Sequence, residues 1–156
     1  MGITNDVWIG LFTQGMKRMS PEKSEKLVEI YPDLFRGNNP RKAFPMFGFE
    51  CGEGWFDLLK DLITELKAIC EKEASKNSLG TGDEVCPLLA DQVKEKYGTL
   101  RFYTNWTNDD IETAINKAEQ RSAITCEHCG AKGEVRSLKS YWYVTYCDDC
   151  YNKGNL

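Results

Sequence analysis

Histidine is nearly missing from this sequence, with His128 the single one in 156 residues. A cysteine nucleophile needs a base beside it to take the thiol proton. The one imidazole sits inside a Cys-x-x-Cys pair, so a cysteine hydrolase built on Cys51 is not expected. Cations are also short, 20 Lys and Arg against 24 Asp and Glu for a formal charge of −4. A general nucleic-acid binder carries the opposite balance, because Lys and Arg must replace the counterions on phosphate. No apolar run approaches the ~20 residues that span a bilayer. Met1 to Met19 mixes Asp, Asn, Gln and Lys among its apolar residues, unlike a signal peptide, and Asp6 stands where a myristoylation motif has Ser or Thr. No internal repeat or low-complexity segment is visible.

What is there suits one globular domain, or a domain with a small appendage, since 41% of residues are hydrophobic and 12% aromatic. Ser20-Pro21-Glu22 reads as a helix start, with Leu27, Val28, Ile30 and Tyr31 behind it and Tyr31-Pro32 as its end. Arg36 to Pro45 reads as a loop. Trp55, Leu58, Leu59, Leu62, Leu66 and Ile69 recur at three and four residues, which predicts the main helix, running to about Ser75. After a second loop, Asn77 to Pro87, the segment Gln92 to Tyr103 predicts a hairpin about Tyr97-Gly98. Asn108 before Asp109 and Asp110 is an N-cap, and Ile111, Ala114, Ile115, Ala118 and Ser122 form the buried stripe of a second long helix. The expected class is α+β, helices on a small antiparallel sheet, with an α+β domain over 1–122 and a zinc ribbon over 123–156.

Four of the seven cysteines fall into two Cys-x-x-Cys pairs, Cys126 with Cys129 and Cys147 with Cys150, separated by seventeen residues. Zinc takes four such thiolates in a tetrahedron, and a two-residue gap lets backbone amides turn toward the sulfurs. Gly130 permits the turn, and the residues between the pairs suit a β-hairpin. One structural Zn2+ per chain is therefore expected, with no coordination position left for a substrate. His128 reads as an exposed residue of the first knuckle. The other three cysteines, Cys51, Cys70 and Cys86, are scattered and odd in number. That favours a reducing cytoplasm over a disulfide framework, and the sequon Asn105-Trp106-Thr107 is discounted with it. Cys70 and Cys86 read as small buried side chains.

The ribbon's own charge argues against nonspecific phosphate binding. Arg121, Lys132, Arg136, Lys139 and Lys153 oppose Glu127, Glu134, Asp148 and Asp149, and zinc with four thiolates adds −2, leaving −1. Tyr141-Trp142-Tyr143, with Tyr146 and Tyr151, can stack bases or pack a partner, but in so small a ribbon these rings are expected to form its core.

Two segments look functional: Glu50-Cys51-Gly52-Glu53-Gly54-Trp55, and the hairpin cations Lys94, Lys96 and Arg101. A two-residue turn pairs Lys94 with Arg101, an opposition that needs an acid above it, either Glu50 or Glu53 from within or a phosphate from outside. A three-residue turn pairs Glu95 with Arg101 instead and removes the problem. Both registers are open. Under the first, Trp55 stacking on a base beside these cations would make a nucleotide site.

Tyr31-Pro-Asp-Leu-Phe35, Phe47-Gly-Phe-Glu-Cys-Gly-Glu-Gly-Trp55, Gln92-Val-Lys-Glu-Lys-Tyr-Gly-Thr-Leu-Arg-Phe-Tyr103 and the two Cys-x-x-Cys pairs together resemble a family of small zinc-ribbon proteins encoded by bacteriophages and prophages. The likeness spans about residue 27 to 150. Thr99 departs from it, standing where the family carries a second glycine. The resemblance implies a bacterial cytoplasm during infection, and it names no activity. The expectation is thus a non-enzymatic phage accessory protein that binds a host protein, such as one of a defence system. The alternatives are a nucleic-acid-binding ribbon for phage transcription or replication, and a protein that sequesters nucleotide signals.

Overall fold

The computed structural model describes residues 18–36, 47–77, 88–139 and 141–153. The expected loops fall largely on 37–46 and 78–87, outside the described residues, as do Cys86 and most of Met1 to Met19. Helix α1 (Pro21–Ile30) starts at Ser20, with Pro at its first turn, and α2 (Pro32–Phe35) follows at once. Ser20 makes no side-chain cap; its N–H instead donates to Glu53 Oε1 at 3.2 Å. Strand β1 (Phe49–Glu50) leads through a 3₁₀ turn (Glu53–Trp55) into α3 (Phe56–Asn77). Helix α3 buries Leu58, Leu59, Leu62, Ile63, Leu66 and Cys70, the 3.6-residue stripe the sequence displays, and leaves Lys60, Asp61 and Glu65 outside.

Strands β2 (Ala90–Lys96) and β3 (Thr99–Thr104) pair antiparallel, and β1 adds in parallel to β2, giving the order β1-β2-β3. The turn has two residues, Tyr97 at φ 54 and Gly98 at φ 82, the type I′ geometry whose twist matches the strands. The register is Lys96 with Thr99, Glu95 with Leu100 and Lys94 with Arg101. Strand β1 was not visible in the sequence, because two residues carry no period.

Helix α4 (Asp109–Ser122) is capped as expected: the Asn108 side chain accepts from Ile111 N at 2.9 Å. It also covers the outer edge of β3. Leu100 N donates to Ser122 Oγ at 2.8 Å and Phe102 N to Glu119 Oε1 at 3.3 Å, so two edge amides that would be free find side-chain acceptors. The main core joins Leu27, Leu34, Trp55, Leu59, Leu66, Val93, Leu100 and Ile111. A second, smaller core holds Cys126, Val144, Tyr146 and Cys150 under the hairpin of β4 (Glu134–Lys139) and β5 (Trp142–Tyr146), which α5 (Asp148–Asn152) closes. The class is α+β. Among the described residues no helix is long and apolar enough to cross a membrane.

Candidate metal centre

The four paired cysteines meet at one point. Their Sγ atoms all lie within 4.8 Å of one another, and Cys129 Sγ and Cys147 Sγ are 3.6 Å apart. Four sulfurs at ~2.3 Å from a central ion would stand about 3.8 Å from each other in a tetrahedron. The cluster therefore has the size and donor set to hold a metal ion. Each knuckle is also tied by its own amides. Cys150 N donates to Cys147 Sγ at 3.4 Å, and Gly130, at φ 80, swings its N–H back to Cys126 O at 2.8 Å. Burial disfavours the Cys126 thiolate, but the Cys147, Cys129 and His128 amides around it outweigh burial and bring its pKa down to about 7. His128 is exposed, its ring edge-on to Tyr146 at 6.4 Å, and takes no part in the cluster.

The Glu50–Trp55 segment explains itself against this centre. Gly54 N donates to Glu127 O at 2.7 Å, Gly52 N to Glu127 Oε1 at 2.9 Å, and Trp55 Nε1 to Thr125 O at 2.8 Å. A Cβ on Gly54 would stand 2.2 Å from Cys126 O and 2.6 Å from Gly130 N, so only glycine lets the two backbones come this close. Glu127, a knuckle residue, is 1% exposed. On the other side Gly98 O accepts from Thr145 Oγ1, and a Cβ on Gly98 would stand 3.2 Å from Val135 Cγ1. The two unusual motifs of the first unit, one ending at Trp55 and one turning at Gly98, are thus two places where the ribbon docks.

The polar constellation expected around these motifs is not assembled. Trp55 is fully buried and cannot stack on a ligand. Glu53 faces α1, where Lys23 Nζ at 2.9 Å and the Ser20 amide hold its carboxyl down to about pKa 2. Glu50 does share a row with Lys94 and Arg101, but accepts from Gln92 Nε2 at 3.2 Å. Arg101 donates to Thr99 Oγ1 and Leu100 O, both at 2.7 Å, with Glu119 3.9 Å away. Lys94 and Lys96 make no ion pair among the described residues and lie over the Tyr103 and Tyr97 rings, at 5.7 and 5.4 Å.

Cys51 is buried, and that burial, with Glu127, Glu95 and Glu50 nearby, pushes its thiol well above the ordinary range, the reverse of an activated nucleophile. Cys70 is buried as expected but is disulfide-bonded, so it is more than a small apolar filler. Disulfides are rare in reducing compartments, and this bond weighs against the cytoplasmic expectation.

The aromatic run departs most from expectation. Tyr146 alone of the five rings is a core residue; Tyr141, Trp142 and Tyr143 are 89%, 48% and 40% exposed. Two of the five ribbon cations are meanwhile occupied. Arg121 pairs with Asp61, and Arg136 with Glu134 and Asp148 while stacking on Tyr151. No protein-family model, curated protein or solved structure matches the chain.

Proposed function

We propose that the chain is a non-enzymatic binding protein, in which one structural zinc fixes a ribbon onto an α+β body and the ribbon presents its aromatic hairpin to a protein partner. The observation that carries this is the exposure of Tyr141, Trp142 and Tyr143, three large rings that add nothing to the ribbon's core. Zinc is the metal of choice for four thiolates in a tetrahedron, and a closed site of this kind stabilises a fold rather than catalysing. The four ligand thiolates must stay reduced to bind it. Following the resemblance to phage-encoded proteins, the partner is a bacterial host factor, with a defence component the natural candidate.

The test is affinity capture of the tagged full chain from bacterial cells, in parallel with Trp142→Ala. Capture of a host protein by wild type and its loss in the variant, at equal zinc content, supports the reading. Equal recovery by both sinks it. Nucleic acid is the second reading, motivated by Lys94 and Lys96 lying beside tyrosine rings with no carboxylate partner among the described residues. It predicts a salt-dependent mobility shift weakened by Lys94→Ala or Lys96→Ala.

A further inference from the structure

Among the described residues only two non-glycine residues have a positive φ, and both are tyrosines at hairpin turns: Tyr97 at φ 54 and Tyr141 at φ 69. A side chain with a Cβ is strained in this region, and Asn or Gly is the ordinary occupant. At the first position of a type I′ turn before glycine, Asn is the favoured choice. The rings do not repay the strain by burial, since Tyr97 is 65% and Tyr141 89% exposed. A strained and exposed aromatic at both tips points to a contact role.

A chain of neighbours links the two tips. Gly98, next to Tyr97, sits against Val135 on β4, and Val135 pairs with Thr145, two residues along β5 from Tyr143. Residues two apart on a strand share a face. Val135 and Tyr143, 43% and 40% exposed, therefore continue the strip from Tyr97 toward the ribbon tip at Tyr141 and Trp142. The strip crosses the junction of the two units, so it exists only while the ribbon is docked. Lys96, with its ammonium over the Tyr97 ring, borders it at the sheet end.

Resting on the binding reading above, we infer that the Tyr97–Val135–Tyr143 strip with the Tyr141 tip is a single protein-docking surface, and that its partner presents an apolar segment flanked by Asp or Glu. Lys96 and Lys94, free of carboxylates among the described residues, supply the complementary charge. An aliphatic residue in the strip, two cations beside it with no carboxylate partner among the described residues, and a formal charge of −4 favour an acidic protein segment over a polyphosphate.

The probes are a random twelve-residue peptide library panned against the zinc-loaded full chain, and fluorescein-labelled oligo(dT) and oligo(U) in anisotropy titrations at 50 mM salt. Tyr97→Asn and Tyr141→Asn relieve the strain, and each is expected to raise Tm by about 2 °C. Enriched peptides should combine Asp or Glu with large apolar residues and bind each Asn variant at least tenfold more weakly. Peptides lost with Trp142→Ala but kept by Tyr97→Asn would leave the binding reading intact and overturn the composite surface. Enrichment of nothing above a bait-free control, or of peptides without acidic residues, also overturns it. Oligonucleotide binding that Tyr97→Asn weakens would assign the strip to nucleic acid instead.

Discussion

Replacing Gly54 by Ala adds one methyl at the tightest contact between the two units. Its nearest neighbours would be Cys126 O at 2.2 Å, Gly130 N at 2.6 Å and Glu127 C at 2.7 Å, all backbone atoms of the first knuckle, so no side chain can rotate away. The segment must lift off the knuckle. Lifting breaks the Gly54 N to Glu127 O bond, worth about 1 kcal/mol, and strains or opens the Trp55 Nε1 to Thr125 O bond inside a buried site, worth about 1–3 kcal/mol. Residual overpacking adds about 1–3 kcal/mol, while the stiffer unfolded chain returns about 0.4–1 kcal/mol. The net expectation is a loss of roughly 2–7 kcal/mol, a large share of a typical domain's stability. Urea unfolding followed by far-UV circular dichroism, with zinc and reductant present, should show a midpoint lower by about 1–3 M. Gly48→Ala is the control, because Gly48 has φ 65 with nothing within 4 Å of its Cβ position, and should lose only the backbone strain of about 1 kcal/mol. A Gly54→Ala midpoint no lower than that of Gly48→Ala would refute the close-approach argument.

Two further outcomes are expected. The Glu53 carboxyl is held at about pKa 2 against an ordinary 4.5, so the stability it contributes is present above pH 4.5 and is lost as pH falls through about 2. Because Glu53 and Lys23 are both about 40% exposed, solvent screens the pair, and acid titration of wild type against Glu53→Gln should differ by less than ~1 kcal/mol over that window. Ser122→Ala removes the acceptor of the buried Leu100 N–H and should cost about 1–3 kcal/mol in chemical denaturation, with Ser122→Thr recovering part of it where the hydroxyl still reaches.

Periodicity and capping made α3, α4 and the β2–β3 hairpin legible in the sequence, since each carries a repeating apolar face or a turn residue. The four cysteines were legible because ligand spacing is local. The docking role of Gly52 and Gly54 was not. Those glycines read as part of a functional segment until Glu127, some seventy residues away, is seen against them, and no local pattern encodes a contact of that separation. Trp55 misled for the same reason: an aromatic beside glycines and acids looks like a stacking platform, whereas tertiary packing buries it completely. The ribbon aromatics erred in the opposite direction. Small size suggested that all five rings would fill the core, but Cys126, Val144, Tyr146 and Cys150 fill it with help from Leu138 and Cys147, leaving Tyr141, Trp142 and Tyr143 outside. The hairpin register was undecided because both turn lengths give plausible charge pairs, and the Gly98 contact with β4 and β5 favours the two-residue form.

Hydrogen exchange at the Gly52 and Gly54 amides, measured with the metal bound and after chelation, tests the central claim most directly. Both amides are bonded to the first knuckle, to Glu127 Oε1 and Glu127 O, and that knuckle carries two of the four clustered sulfurs. The account predicts that both are protected in the metal-loaded chain and lose at least tenfold in protection when the metal is removed, while the amides of Leu59 to Leu66 in α3 stay protected. Unchanged protection of Gly54 after complete metal removal would contradict it.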